Sequence, residues 1–393
     1  MGLKFPIYLD HHSTTMVDPE VFKLMVPYFT EHFGNPSNRN HSFGREAERA
    51  IGCARKTIAT LLGASEKEIL FTSGATESNN LAILGLASKA KSRGNHIITT
   101  SVEHKSVLEA CLHLERQGYS VTYLPVNQHG QVSAEQVQKA LRPTTILVSI
   151  MMANNEIGSI NPIQDIGHLC RKEGVFLHTD AVQAAGLCSI NVDALGVDLL
   201  SLSAHKIYGP KGVGALYASK RYSESLIAEQ IHGGGQEQGL RSGTHNVPGI
   251  IGFGKAAELA LKERGSECAR IIRLRDRLWR ALNSQLDQVY LNGHPTQRLA
   301  NNLNVSFAGI VGEAIMKQMP EVAVSSGSSC SSASHEPSYV LRQIGLSRGI
   351  AHSTLRFGLG RYTTEEEVDY VAAKVVSIVK TLRERSIPVY EFI

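Results

Sequence analysis

The sequence predicts an α/β fold in which helices sandwich a mostly parallel sheet, followed by a smaller α+β domain. Apolar runs of strand length alternate with amphipathic stretches of helix length, which is typical of a parallel sheet covered on both faces. After about residue 255 this alternation gives way to long helical stretches. Because 393 residues exceed what one hydrophobic core usually holds, two domains are expected. We predict a large domain over residues 16–258 and a small domain formed by residues 1–15 and 259–393.

Short apolar segments give the strands of the predicted sheet, and helices lie between them. Where the pattern changes, helices over 248–262 and 267–286 lead to a strand region at 300–307. A last helix begins near Thr364, where Thr and Glu form a capping box that satisfies free backbone N–H groups. The predicted strands are 69–72, 96–100, 121–126, 146–151, 175–178, 199–203 and 213–218, and the helices between them include 77–89, 106–117 and 134–141, the last with a capping box of Ser133 and Gln136.

Composition excludes several classes of partner. Forty Lys and Arg residues against thirty-six Asp and Glu residues are scattered without a charged run, so no nucleic-acid partner is expected. The sequence lacks a signal peptide pattern and an apolar run of membrane-spanning length, so no membrane partner is expected either. The six cysteines are far apart without zinc-like spacing, which argues against a metal site. We therefore predict a cytoplasmic protein in which five cysteines are buried packing residues and Cys330 is separate.

Polar, chemically capable side chains follow five of the predicted strands. Ligands of open parallel sheets bind outside the carboxyl ends of the strands, so these side chains are expected to meet in one crevice. Their convergence is the strongest physical signal in the sequence. The groups are 73–77 after the first strand, 102–104 after the second, 154–156 after the fourth, Asp180 and Gln183 after the fifth, and His205 with Lys206 after the sixth.

The segment Ser73-Gly74-Ala75-Thr76 stands where a strand turns into a helix. Exposed N–H groups and the helix dipole make such an N-terminus an anion site, and a glycine lets the backbone come close to the anion. The alternative is an ordinary strand–helix turn with Thr76 as its N-cap. The sequence has no GxGxxG and no GxxxxGK[ST] motif, which disfavours a dinucleotide site or a P-loop.

Asp180 and Lys206 each follow a buried strand. A buried aspartate needs a cationic partner, and a protonated pyridine nitrogen would serve. A lysine in a dry crevice loses its proton readily and can form a Schiff base. The alternative is an Asp180–Lys206 ion pair at the edge of the sheet. With the anion-binding turn and His104 beside them, a cofactor is favoured.

Five motifs together resemble the cysteine desulfurases of the NifS/IscS type, within the class V aminotransferase group of fold-type I pyridoxal-phosphate enzymes. The resemblance covers nearly the whole chain, and several motifs are more specific than any one. It implies the fold-type I architecture and pyridoxal 5'-phosphate as cofactor. The motifs are YLDHHSTT at 8–15, TSGATE at 72–77, MANNEIG at 152–158, LSLSAHKIYGPKGVG at 200–214 and RFGLGR at 356–361.

The resemblance implies a role for each matched position. Lys206 would hold the cofactor as a Schiff base, and Asp180 would keep the pyridine nitrogen protonated. His104 would stack on the ring and move protons, and Arg356 would grip the substrate carboxylate with Asn155 beside it. For a lone Arg the alternative is an ion pair between domains. The remaining cofactor contacts are Gly74, Ala75, Thr76, Ser203 and His205 at the phosphate, Gln183 and Asn155 at the ring hydroxyl, and Thr244, lent to the neighbouring subunit of a homodimer.

Cys330 decides the reaction class. It lies in SGSSCSSASHEPSYV at 326–340, which resembles the long catalytic loop of the NifS/IscS group and not the short loop of the SufS group. Gly and Ser without a bulky anchor suit a segment that enters and leaves a pocket. The alternative is an unreactive surface cysteine, although an exposed thiol is an oxidation liability. The resemblance implies that Cys330 takes the sulfur of L-cysteine as a persulfide, leaves L-alanine, and supplies an acceptor protein for iron–sulfur cluster assembly or tRNA thiolation.

Three positions depart from the family pattern. Ser13 replaces the usual Ala, and His335 stands where an aliphatic residue is common. Residues 386–393 lack the extended tail with which many IscS-type enzymes dock an iron–sulfur scaffold, so we do not expect delivery by that tail. The rival functions are a selenocysteine lyase or a transaminase of the same fold, and a catalytically idle sulfur-relay partner. The intact candidate site argues against the idle partner.

Overall fold

Seven strands form the central sheet of the computed structural model, which describes residues 3–220, 227–326 and 336–385. Across the sheet their order is β2-β8-β7-β6-β5-β3-β4. The strands of the structure, in chain order, are β1 (Ile7–Tyr8), β2 (Ile69–Thr72), β3 (His96–Thr100), β4 (Ser120–Leu124), β5 (Thr145–Ser149), β6 (Phe176–Asp180), β7 (Leu199–Ser203), β8 (Gly214–Ala218), β9 (Val289–Leu291), β10 (Asn302–Phe307), β11 (Val322–Ala323), β12 (Ser325–Ser326) and β13 (Thr354–Gly358).

The helices cover both faces of this sheet, and some of them pack against a second, smaller sheet that is described below. Short 3₁₀ turns at Glu66–Glu68, Ala204–Lys206 and Glu237–Gly239 complete the regular structure of the described ranges. The α-helices are α1 (Pro19–Met25), α2 (Pro27–Thr30), α3 (Ser42–Leu62), α4 (Ala75–Lys89), α5 (Lys105–Arg116), α6 (Ala134–Ala140), α7 (Ile163–Glu173), α8 (Val192–Leu195), α9 (Val247–Gln285), α10 (Gly312–Lys317), α11 (Tyr339–Gln343), α12 (Arg348–His352) and α13 (Glu365–Arg385).

The prediction of a mostly parallel sheet is confirmed. Strands β3 to β7 run parallel to one another, whereas β8 runs antiparallel to both β7 and β2. Only residues 204–213 connect β7 to β8, which is too short for the crossover that a parallel pair needs. The predicted capping box of α6 is present, with Ser133 and Gln136 bonding each other's backbone N–H groups.

A second, antiparallel sheet has the order β12-β13-β10-β9 and packs with α13 and the second half of α9. The N-terminal segment belongs to this core, because Ile7 and Leu9 are buried in it and β1 pairs with β11. Separate clusters of buried side chains lie on the two faces of the central sheet. This arrangement agrees with the predicted pair of domains, while the boundaries 16–258, 1–15 and 259–393 stay a prediction.

The two helices expected over 248–262 and 267–286 are one continuous helix, α9, and that part of the prediction is wrong. Gly265 weakens the middle of α9 by about 1 kcal/mol relative to alanine, but the strong helix formers on both sides outweigh it. The first half of α9 buries residues such as Phe253 in the large core, and the second half buries Leu278 in the small one. Within the described ranges no helix combines the length and apolarity that crossing a bilayer requires.

Replacing Leu278 with alanine is expected to lower the free energy of unfolding by about 2–5 kcal/mol, because a fully buried leucine leaves a cavity. Ile272→Ala on the same helix is the matched control, since that side chain is 39% exposed. Thermal melting followed by circular dichroism measures both. Equal melting temperatures for the two variants would contradict the assignment of Leu278 to the core.

Candidate active site

A cleft of about 630 Å³ lies at the carboxyl ends of the central strands, within the size range of small-molecule sites. The cleft gathers residues from five strand ends, from the N-terminal segment and from β13. This placement agrees with the crevice expected from the sequence, while the individual roles stay predictions. The predicted site residues that line the cleft are Gly74, Ala75, Thr76, His104, Asn155, Asp180, Gln183, Ser203, His205, Lys206 and Arg356.

One end of the cleft is the N-terminus of α4. The N-cap is Gly74 and not Thr76, so the alternative of a Thr76 cap is wrong, and the helix starts earlier than the predicted residue 77. No side chain caps this helix, and the space that a Cβ of Gly74 would fill has no atom within 4 Å. First-turn N–H groups therefore face an open part of the cleft, with the hydroxyl of Ser203 and the ring of His205 on its wall. These donors fit a phosphate group.

Lys206 lies in the 3₁₀ turn after β7, and its amine contacts the N-terminal segment. The Nζ atom donates to the carbonyl of His12 and, at 2.7 Å, to the carbonyl of Ser13. Thr15 fixes the same turn, because its N–H and its hydroxyl each donate to the carbonyl of His205 at 3.0 Å. The amine is thus held inside the cleft by backbone oxygens from a segment far away in sequence.

Asp180 and His104 are joined by two side chains that the sequence analysis did not identify. Asn79 donates to Asp180 Oδ2 at 2.9 Å and to Ser106 Oγ at 2.8 Å. Ser106 Oγ lies 2.7 Å from His104 Nδ1, and the Ser106 N–H donates to the same nitrogen at 3.2 Å. Because the backbone N–H can only donate, Nδ1 is the acceptor and Nε2 carries the hydrogen when the ring is neutral. Burial lowers the pKa of His104 and favours that neutral form.

Gln183 is held by His12, another residue without a role in the sequence analysis. Gln183 Nε2 donates to the His12 carbonyl at 3.0 Å, and Gln183 Oε1 lies 2.9 Å from His12 Nδ1. His12 belongs to the motif YLDHHSTT, which carried the family resemblance but gave no sign of a side chain in the site. Lys211 also lines the cleft and is a second lysine near the candidate cofactor site.

Arg356 on β13 is both part of an ion pair and part of the cleft wall, the two placements considered for it. It forms an ion pair with Asp10 at 2.9 Å, and it also lines the cleft while only 2% exposed. It donates to Ser13 Oγ at 2.8 Å and to the Asn155 carbonyl at 3.0 Å. Asn155 Oδ1 is buried without a hydrogen-bond partner among the described residues, so this end of the cleft offers both a cation and an acceptor.

Cys330 and His335 lie outside the described residues, but both flanks of their segment bind next to the cleft. On one side, Ser325 donates to Asp10 Oδ1 at 2.8 Å, the oxygen that also accepts from Arg356. On the other side, the Ser338 hydroxyl donates to the buried Glu156, whose pKa burial raises to about 7. The hydroxyl of the next residue, Tyr339, donates to the carbonyl of Glu103.

Four of the other five cysteines are fully or partly buried, in line with the prediction of packing residues. Cys111 and Cys170 are buried, and burial raises the pKa of both thiols to about 12. Cys188 and Cys268 are half-buried with raised pKa values. The prediction of a buried packing residue is wrong for Cys53, which is exposed on α3.

Thr244 does not line the cleft of its own chain and is exposed. Nearby Arg241 forms an ion pair with Glu77 in the first turn of α4 at 2.9 Å, which anchors this loop beside the anion-binding turn. The role of Thr244 in the site of a neighbouring subunit stays a prediction.

Comparison with known proteins decides the family. The model of the aminotransferase class-V family matches residues 7–371. The chain belongs to the class-V aminotransferase family. A curated relative, the cysteine desulfurase IscS of Anaeromyxobacter sp. (strain Fw109-5), is 54% identical over 100% of this chain and 96% of its own length.

Two solved structures agree in fold. A NifS-like protein has a TM-score of 0.88 and 38% identity, over 95% of this chain and 99% of its own. The structure described as SspA in complex with cysteine has a TM-score of 0.79 and 40% identity, over 91% of this chain and 100% of its own. The chain is therefore a pyridoxal-phosphate enzyme of fold-type I, as the motifs predicted.

The donors in the cleft fit this cofactor. An uncapped helix N-terminus suits its phosphate, a buried carboxylate suits its ring nitrogen, and an amine inside the cleft suits its aldehyde. The three groups follow three different strands, β2, β6 and β7. The cofactor would therefore lie across the carboxyl ends of these strands.

Glu103 next to His104 is expected to make stability depend on pH. Burial raises its pKa from 4.5 to about 8, so the folded protein keeps a proton that the unfolded chain has already lost. The free energy of unfolding should therefore fall as pH rises through this interval. In Glu103→Gln the side chain is neutral at every pH. The difference in melting temperature, variant minus wild type, should therefore increase as the pH rises from about 5 to about 8.

Differential scanning fluorimetry across this pH range measures the effect. Glu173→Gln, at the exposed end of α7, is the control for removing one carboxylate. A constant difference between Glu103→Gln and wild type at every pH would contradict the raised pKa.

Proposed function

We propose that the chain is a cysteine desulfurase that transfers the sulfur of L-cysteine to Cys330 and releases L-alanine. The observation that carries the proposal is the cleft itself, where Lys206, Asp180 and Arg356 meet in a protein that is 54% identical to an IscS cysteine desulfurase. A similar structure is described with cysteine bound, which supports the same substrate. The activity agrees with the one expected from the motifs.

The cofactor would be held along the edge of the central sheet. Lys206 would bind its aldehyde carbon, Asp180 its ring nitrogen, and Gln183 with Asn155 the edge that carries the ring hydroxyl. When bound, pyridoxal phosphate supplies an electron sink that stabilises negative charge at the substrate α-carbon. The phosphate would lie against Gly74, Ala75, Thr76, Ser203 and His205, with Thr244 added by a neighbouring subunit.

Arg356 would bind the substrate carboxylate. Its guanidinium is buried beside Asp10, so a carboxylate that arrives there meets a cation that water screens poorly. The planar guanidinium can donate two hydrogen bonds to one carboxylate, and the neighbouring Asn155 side chain lies at the same end of the cleft. The substrate would therefore be oriented with its α-carbon between Arg356 and Lys206.

Proton movement would fall to Lys206 and His104. Once the substrate amine has displaced it, the Lys206 amine is a free base within the cleft and would take the α-proton. His104 has its hydrogen on Nε2 in the neutral form that burial favours, so it would donate a hydrogen bond from that atom to the reacting groups and help to position them for the proton transfer. Ser106 holds the ring in this tautomer, and Asn79 connects Ser106 to Asp180.

Cys330 would complete the transfer. Its thiolate would attack the substrate sulfur, so that one S–S bond forms, the carbon–sulfur bond breaks and the bonding pair stays on carbon. Proton uptake at that carbon gives alanine, and the sulfur remains on Cys330 as a persulfide. The contacts of Ser325, Ser338 and Tyr339 with residues beside the cleft support this role, because they fix both flanks of the segment there.

The proposal extends to the oligomeric state of the enzyme, its location and its sulfur acceptor. A homodimer is supported by Thr244, which is exposed beside the anion-binding turn, and by large exposed apolar side chains on one stretch of the chain. We propose a cytoplasmic enzyme whose persulfide supplies an acceptor protein, in iron–sulfur cluster assembly or tRNA thiolation. The exposed aromatic side chains of that stretch are Phe22, Phe29, Phe33 and Phe43.

Incubation with L-cysteine is expected to add one sulfur atom to Cys330 and to release alanine in equal amount. Intact-protein and peptide mass spectrometry detect the persulfide, and an amino-acid assay quantifies alanine. Cys330→Ala should keep the yellow cofactor but form no persulfide, whereas Cys53→Ala is the control because that thiol is exposed on α3. Full sulfur release by Cys330→Ala would contradict the role of Cys330.

Lys206→Ala is expected to abolish covalent attachment of the cofactor and to lower alanine release by at least about a thousandfold, because the residue that binds the cofactor is also the base. Absorbance spectroscopy measures the attached cofactor and the alanine assay measures the rate. Lys211→Ala, the other lysine of the cleft, is the comparison. Retention of covalently bound cofactor by Lys206→Ala would refute the assignment.

A further inference from the structure

His12 is a buried side chain of the cleft, and its second ring nitrogen has no hydrogen-bond partner among the described residues. It lies in the segment that crosses the strand ends, is 1% exposed, and lines the cleft between Lys206 and Gln183. Its carbonyl accepts hydrogen bonds from both of those residues. Its Nε2 atom is buried without a hydrogen-bond partner in the described part of the chain. A buried polar atom of this kind calls for a ligand, because leaving it unbonded costs free energy.

The neighbouring contacts fix which nitrogen of His12 carries the hydrogen. The His12 carbonyl can only accept, so the side-chain nitrogen of Gln183 must face it. The Gln183 oxygen must then face His12 Nδ1, at 2.9 Å, and that nitrogen must be the donor. Nε2 therefore has the lone pair and is a hydrogen-bond acceptor.

The charges around His12 keep it neutral. Burial lowers its pKa to about 3, and the charges of Arg356 and Lys206 act in the same direction, while the hydrogen bond with Gln183 and the charge of Asp10 oppose them without reversing the shift. The ring consequently does not gain a second proton at any pH near neutrality, and Nε2 stays an acceptor throughout. Lys206 and Arg356 mark the proposed sites for the substrate amine and carboxylate, and both line the cleft with His12 and are close enough to act on its pKa.

We propose that His12 Nε2 accepts a hydrogen bond from the α-ammonium group of the incoming amino acid. An amino acid with a thiol side chain has two kinds of donor, and the ammonium is charged whereas the thiol is a weak donor. A neutral acceptor also offsets the repulsion that an ammonium group meets from two neighbouring cations. The inference rests on the proposed function and names the residue that receives the amine before it replaces Lys206.

The test compares three ligands on cofactor-loaded protein. L-Alanine has the ammonium and carboxylate without the thiol, 3-mercaptopropionate has the thiol and carboxylate without the ammonium, and L-cysteine has all three. In His12→Asn the shorter amide can still donate to Gln183 but lacks the acceptor at Nε2. We expect L-alanine to bind about tenfold more weakly to this variant, as for a lost bond to a charged group, and 3-mercaptopropionate to bind as before.

Equilibrium titration by calorimetry in a Cys330→Ala background, which should not turn L-cysteine over, gives these dissociation constants, and absorbance gives the cofactor content. His11→Asn is the matched control, since His11 is buried next in sequence and bonds the Gly358 carbonyl through Nδ1 at 2.8 Å. His12→Phe removes both nitrogens and should weaken L-alanine to a similar extent. Equal weakening of all three ligands, or a loss in His12→Phe but not in His12→Asn, would overturn the proposal, because either result assigns His12 to packing or to holding Gln183.

The two proposals fail in different ways. If wild-type protein releases no alanine from L-cysteine, the proposed function is wrong whatever His12 does. If the wild-type enzyme is active but His12→Asn binds L-alanine as tightly as wild type, only the role of His12 is wrong. Weaker binding of 3-mercaptopropionate with unchanged L-alanine would instead assign Nε2 to the thiol and would also overturn the proposal.

Discussion

The common direction of the central strands determines where the chemistry can occur. Because six of the seven strands run the same way, their carboxyl ends lie at one edge, and five of them are followed by residues that line the cleft. Lys206, Asp180 and the turn at Gly74 reach the same cleft only for this reason. The N-terminal segment then crosses that edge, and its carbonyls hold the amine of Lys206 in place. Any change in strand order would separate these groups.

The antiparallel sheet contributes to the same cleft through a few buried contacts. Arg356 enters from β13 and is joined to the N-terminal segment by Asp10, which also binds Ser325. On the other side, Asn302 and Asn304 of β10 donate to the carbonyl of Glu156, next to Asn155. These bonds link the antiparallel sheet with the loop that lines the cleft. Substrate binding at Arg356 and the position of the Cys330 segment would therefore be physically coupled.

The sequence predicted the fold and most of the cleft because its strongest signals are local. Buried parallel strands appear as apolar runs, and the residues that follow them are placed by the strand direction alone. What it did not predict depends on contacts between distant segments. Asn79 bonds Asp180, 101 residues away in sequence, and His12 bonds Gln183, 171 residues away. No spacing or periodicity in the sequence predicts either pair.

Two local predictions were also wrong for physical reasons. The single break expected near Gly265 is overridden by helix formers on both sides, which makes α9 one helix joining both cores. The alternative of an N-cap at Thr76 was wrong because the helix begins after Gly74, which adopts a φ of 155° that side chains disfavour.

The covalent link between one lysine and the cofactor is the claim on which the rest depends. Borohydride reduction of the purified enzyme makes that link permanent, and peptide mapping by mass spectrometry then locates it. We predict that the reduced cofactor is found on the peptide that contains Lys206. A cofactor located on Lys211, or no modified lysine in a protein that nevertheless releases alanine from L-cysteine, would contradict the account.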